Sequence, residues 1–412
     1  MLKGRLTALA SVAVFLVLTG GAAGLSLATS HHTSSANDRG KVTSDGRSET
    51  GPSTTVSSSH TSAKEIADCY CAALQQFSPE SATTWWAIVE GNNTSNAIVA
   101  RTSDSGDRWT DEFSSDVHVT GYFLDAEVAW LEQRKELYRT VDGGQSWQRL
   151  SEPGDCQLDF VNSLDGYCSV FVQRGDSVIA ALYGTSDGGD TWTLVSHTVP
   201  TGHGNASVGV LPEPCSSQIT FTSPDVGWLE SGGCVSGSTY LCTTIDGGHT
   251  WRALSPVPPP PGGSEASGAN FAAPVVSGPD IAVSVYVFAP QRQGGYTAIA
   301  SSSDGGLAWQ THTFPGSVQY WSADVIDPSD WLLTFGNALE STTNSGLRWR
   351  STTLPRTLMP LNPGIDAATL TFLSPLLGWA TEGGGTDGPV WGTQDGGASW
   401  RQVVVQAGPY RV

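Results

Sequence analysis

Residues 140–147 read TVDGGQSW, and nearly the same octet returns at 185–192 (TSDGGDTW), 244–251 (TIDGGHTW), 302–309 (SSDGGLAW) and 393–400 (TQDGGASW). Looser copies stand at 102–109 (TSDSGDRW) and 342–349 (TTNSGLRW). The acid position is therefore Asp104, Asp142, Asp187, Asp246, Asp304, Asn344 and Asp395. The closing aromatic is Trp109, Trp147, Trp192, Trp251, Trp309, Trp349 and Trp400. A catalytic group is needed once, so sevenfold recurrence points to architecture. Successive copies lie roughly 40 to 60 residues apart, close to the period of propeller blades.

A second signature precedes most of the octets: an aromatic followed seven residues later by another, degraded at Phe77 with Trp85-Trp86 and at Asp324–Trp331. Phe221 with Trp228 and Phe372 with Trp379 fit best, and Phe123 with Trp130 and Phe160 with Tyr167 keep the spacing. The unit around Phe271 lacks the pair. Short runs of β-branched and aromatic residues between Gly, Pro, Ser and Asp clusters divide each unit into four strands. In the fourth unit these are 218–222, 227–231, 238–243 and 250–254. One such sheet has two apolar faces and no core; stacking seven radially buries both and leaves short edges. The octet then falls at the turn between strands three and four. Its Asp accepts turn N–H groups, its Gly takes a positive φ, and its Trp opens the outer strand and fills the gap between neighbouring strands. The expected fold is all-β: a single seven-bladed propeller of four-stranded antiparallel blades over residues 63–412.

The octet resembles the Asp-box, or BNR, repeat of sialidases and related propellers. With "ITFTSPDVGWLE" before "TYLCTTIDGGHTWRAL" it looks most like the photosystem II stability and assembly factor family and its non-photosynthetic bacterial relatives. The resemblance covers about residues 77–405 and speaks to fold far more than to function. Sialidases of this kind carry a Phe/Tyr-Arg-Ile-Pro motif and three substrate-gripping arginines. This chain has no such tetrapeptide, and Arg108, Arg252, Arg348, Arg350 and Arg401 are scattered beside boxes. Asp-box endoglucanases use two propellers where this chain has one. The photosystem factors hold their partner with an arginine-rich patch, which a chain of formal charge −19 with 20 basic residues is not expected to form.

That charge, 39 acids against 20 bases, argues against nucleic acid, which needs clustered Lys and Arg. Lys3 and Arg5 precede an uncharged, largely apolar run over 6–28. Residues 1–28 thus read as a secretory signal or a membrane anchor, and either one exports the remainder of the chain. Residues 29–62, rich in Ser and Thr, read as a disordered linker. The expected location is extracellular or cell-surface.

Seven cysteines suit an exported chain. Cys156 with Cys168, and Cys215 with Cys234, bracket apparent hairpins and are candidate disulfides; the connectivity of Cys69, Cys71 and Cys242 stays open. No catalytic, metal or cofactor set stands out. Asp125, Glu127, Asp165, Asp225, Asp324, Asp327 and Asp330 read as solvated acids of turns after inner strands.

The functional expectation is a monomeric, non-enzymatic binding or assembly scaffold for a protein or glycan partner. The rival is a carbohydrate-active hydrolase with its site at the mouth of the central channel. A tight carboxylate cluster there would favour the hydrolase; a broad surface without strongly shifted acids would favour the scaffold. The strand count places the last strand at 401–405 with none to spare. Ring closure is therefore expected from packing of blade one on blade seven, helped by residues 63–73.

Overall fold

The computed structural model describes residues 72–412 apart from 92–95, 175–176, 199–208, 213, 233–238, 259–267, 290–293, 313–321, 336, 356–368 and 382–388. Each repeat unit forms one antiparallel sheet with its strands paired in chain order, giving the seven blades of a propeller. Blade one comprises Ala72–Pro79, Trp85–Gly91, Ala97–Thr102 and Thr110–Ser115. Blade two comprises Thr120–Phe123, Ala129–Gln133, Glu136–Thr140 and Gln148–Leu150. Blades three, four, five, six and seven open with Gln157–Phe160, Pro214–Phe221, Gly268–Phe271, Ser322–Val325 and Thr369–Phe372. Blade five has an additional strand, Val275–Ser277, paired beside the first on Asp280–Ala289, which the four-strand unit does not include.

Because strands alternate in direction, the 1–2 and 3–4 turns of every blade share one end of the ring. The 2–3 turns and the connections between blades share the other. Hydrogen bonds tie the two turns of the first end together in every blade. The residue after the box acid donates its N–H to a carbonyl of the 1–2 turn: Ser105 to Thr83, Gly143 to Glu127, Gly188 to Leu164, Gly247 to Asp225, Gly305 to Pro279, Ser345 to Ser329 and Gly396 to Leu376.

The aromatic pair works across blades. Trp86 of blade one stacks on Phe123 of blade two at a centroid distance of 5.1 Å, Trp130 on Phe160 at 3.5 Å, and Tyr167 on Phe221 at 3.4 Å. The second aromatic of one blade thus seats the first aromatic of the next. Gly227 shows the steric condition: a Cβ there would lie 2.6 Å from the Phe221 ring.

Closure uses the same device. Trp379 of blade seven meets Phe77 and Trp85 of blade one at 6.4 and 5.5 Å, and Val390, Val403 and Leu74 share their core. Arg401–Val403 pairs with Val390–Thr393, and among the described residues no strand from the N-terminal side joins it. The chain nevertheless does not end at that strand. Gln406–Ala407 and Tyr410–Arg411 form a further hairpin whose Gly408 N–H donates to Asp111 Oδ1 of blade one at 2.9 Å. Trp109 Nε1 donates to Val404 O at 3.0 Å, and Arg401 to Ser105 O at 3.1 Å. Of the segment expected to assist closure, residues 63–71 lie outside the described residues, as do 1–28 and 29–62, and Ala72–Ala73 belong to the first strand.

Candidate functional site

In the box of blade two, the Thr140 hydroxyl donates to Asp142 Oδ1 at 2.8 Å and accepts the Gly144 N–H at 2.9 Å. The Ser146 N–H closes the turn on Asp142 Oδ1 at 2.9 Å. The same three bonds occur in the boxes of Asp104, Asp187, Asp246, Asp304 and Asp395. Asn344 makes them too, because only Oδ1 is used. Where a hydroxyl stands three residues after the first Gly, it adds a bond to Oδ2, as Thr191 does to Asp187 and Ser399 to Asp395. Those hydroxyl bonds come first in holding the Asp187 and Asp395 carboxyls down at about 2. Each box carboxylate is therefore held by its own turn through Oδ1, and in the boxes of Asp142, Asp187, Asp246 and Asp395 through Oδ2 as well.

The box tryptophans seal blade against blade as well as packing within their own blade, where Trp192 meets Phe160, Trp251 meets Phe221 and Trp400 meets Phe372. Trp147 donates to Glu112 O of blade one at 3.0 Å and packs edge-on against Phe113. Trp192 lies with Leu150 and Trp130 of blade two, and Trp251 with Leu182 of blade three. Trp309 lies with Leu254 of blade four, Trp349 with Ile299 of blade five, and Trp400 with Leu339 of blade six.

Arginines that are scattered in the sequence also bridge blades. Arg101 reaches Glu127 at 3.0 Å across the Trp86 ring, and Arg139 donates to Ser163 O at 2.7 Å across Trp130. Arg350 donates to Asp395 O at 3.2 Å. Fixed in this way, none of the four, counting Arg401, is presented as a free grip for an anionic substrate.

The first strands are stitched together by polar side chains. Gln76 exchanges two hydrogen bonds with the Gly121 backbone. Asp159, buried, accepts the Phe221 N–H and the Tyr122 hydroxyl. Burial raises its carboxyl to about 7 against those two bonds. Asp324 accepts the Phe372 N–H at 2.9 Å and is likewise raised to about 7 by burial. It lies within Ser322–Val325 and not in the turn after that strand, so its reading as a solvated turn acid is corrected.

At the end opposite the boxes, Glu132, Glu152 and Asp155 bring carboxylate oxygens within 4.8 Å of one another. Both Glu152 oxygens lack solvent contact and a hydrogen-bond partner. Burial, then mutual repulsion, lifts Glu132 and Glu152 to about 7. Such hard oxygen donors suit a cation like Ca²⁺, although three groups supply only part of the six to eight ligands it takes. They come from a strand of blade two and the connection to blade three, so no local spacing announced them.

The Cys156–Cys168 disulfide forms beside this cluster. Cys69, Cys71 and Cys234, and the side chain of Cys215, lie outside the described residues. Cys242 is a buried free thiol pushed by burial up to about 12, which leaves it inert as a nucleophile.

No protein-family model matches the chain, and no curated protein matches it. Among solved structures it is similar to a PL25 ulvan lyase at 9% identity, TM-score 0.50, covering 80% of this chain and 96% of that one. It is also similar to YCF48 bound to a D1 peptide, at 15% identity and TM-score 0.46 over 79% and 93%. A GH74 xyloglucanase from Xanthomonas campestris shows 15% identity and TM-score 0.43 over 80% and 60%. At such identities the likeness extends to the fold alone.

Proposed function

We propose that this chain is an exported, non-enzymatic Asp-box propeller that serves as a binding or assembly scaffold. One observation carries the reading: the groups best suited to chemistry are consumed in holding the ring together. Asp159 and Asp324 carry shifted carboxyls, as a hydrolase would require, but each is tied to a backbone N–H of the next blade. Arg101, Arg139, Arg350 and Arg401 are spent on neighbouring blades. The basic start and apolar run of the N-terminus, together with a disulfide, support export.

A hydrolase reading has one specific support, the Glu132–Glu152–Asp155 cluster, where a carboxyl titrating near 7 is what a general acid needs. A direct test offers the full chain a panel of neutral and uronate-containing polysaccharides and measures reducing ends and unsaturated uronate. No product release is expected. Release that disappears in Glu132→Gln and Glu152→Gln would overturn the scaffold reading.

A further inference from the structure

We infer that the box end of the ring docks a cationic polypeptide segment with interspersed aliphatic side chains; this deepens the scaffold reading and rests on it. Every 1–2 and 3–4 turn lies among the described residues. Each of blades two through seven presents one large aliphatic side chain there: Val141, Leu164, Ile245, Leu307, Leu347 and Leu376, exposed by 51% to 83%. Blade one has none. The other large exposed apolar groups among the described residues are Val172, Leu194 and Tyr286, none of them in a box-end turn. One aliphatic side chain in water on each of six blades, all at the same end, gives that end a repeated apolar element that a partner can bury.

Charge selects the occupant. The same turns carry the box acids, with Asp187 and Asp395 held ionised down to about pH 2, and turn acids such as Asp125, Asp165 and Asp225. Opposed to them in these turns are chiefly Arg108, His249 and Arg348. An acidic face repels a second copy of itself and an anionic lipid surface. The exposed apolar groups here are aliphatic, whereas glycans are held by exposed aromatic faces, so a polypeptide fits better than a sugar. A segment alternating Lys or Arg with Leu-like residues would meet acids and aliphatics together.

The test uses the full chain and three synthetic peptides of equal length, Lys–Leu, Lys–Ser and Glu–Leu alternating, measured by calorimetry at low and high salt. Lys–Leu is expected to bind at least tenfold tighter than either control, and to weaken with salt. Combined Leu307→Ser, Leu347→Ser and Leu376→Ser should remove that tenfold advantage without moving Tm, because the side chains are exposed. Leu194→Ser, away from the box end, should leave it intact. Equal binding of Lys–Ser, or an advantage retained in the triple variant, overturns the proposal. Preferential binding to zwitterionic or anionic vesicles through the same leucines would overturn it in favour of a membrane. Either failure, with no polysaccharide turnover, leaves the scaffold reading standing; turnover would remove that reading instead.

Discussion

The two ends of this ring are built on different terms. At the box end, seven near-identical turns repeat the same three hydrogen bonds, and each is bonded to the 1–2 turn of its own blade. At the other end, among the described residues, the devices are singular: one disulfide and one carboxylate cluster, both around the junction of blades two and three. The lengths differ as well. On the box end only residues 124–128 separate Thr120–Phe123 from Ala129–Gln133, whereas on the other end Arg252–Ala253 and Gly268–Phe271 are joined by 254–267. Repetition at one end frees its exterior side chains to vary, because backbone and Oδ1 carry the structure. At the other end, variation is in the chain length itself.

The largest effect expected is from Trp130→Ala. Trp130 is fully buried, stacks on Phe160 and donates to Gly188 O at the box end of blade three. Its removal should cost about 3–5 kcal/mol by the large-to-small rule, read as a lower midpoint in chemical denaturation. A loss under about 1 kcal/mol would mean that the inter-blade stack does not hold the box ends together.

Titration should separate the ends by sign. Glu152 rises in the fold to about 7 from an unfolded value near 4.3. Its contribution is fully present below that unfolded value and is lost as pH rises through about 7. Asp187 falls to about 2, so its contribution is present above the unfolded carboxylate value and lost as pH drops toward 2. Unfolding free energies from chemical denaturation between pH 4 and 8 should thus decline in the parent more than in Glu152→Gln, by about 1 kcal/mol once solvent screening is allowed for. Parallel curves would show that the cluster does not titrate as a buried group.

The smallest effect is a gain. In the two looser boxes Ser105 and Ser345 occupy φ of 63° and 54°, where the other boxes have Gly. Ser345→Gly relieves a left-handed residue and should stabilise by ~0.5–1 kcal/mol, measured as a raised denaturation midpoint; a destabilisation would mean the Ser side chain has a role of its own.

What could be read from sequence is whatever lies close along the chain. The boxes, the aromatic spacing and the four-strand unit are local, and a repeat announces itself by recurring. Reading failed wherever partners are far apart. Asp159 meets Phe221 through 62 positions of sequence, and nothing near Asp324 indicates that it caps the first strand of the next blade. The C-terminal hairpin does leave a local sign, Gly408-Pro409 between Ala407 and Tyr410, a turn-forming dipeptide that lies beyond the last strand of a four-strand count. The exposed aliphatics are hidden for another reason: a leucine in a turn looks like any other until its neighbours are known.

The bonds from Trp109 to Val404 and from Gly408 to Asp111 span 295 and 297 positions. They make the first blade the last to be completed. As the chain leaves a ribosome at ~5–20 residues per second, Trp109 waits roughly 15–60 s for its acceptor carbonyl. Through that interval blade one presents an unsealed apolar flank and an unpaired indole N–H. Formation of the ring is thus gated by its final residues, the high-contact-order closure that makes β-rich chains slow to fold and dependent on protection while they wait.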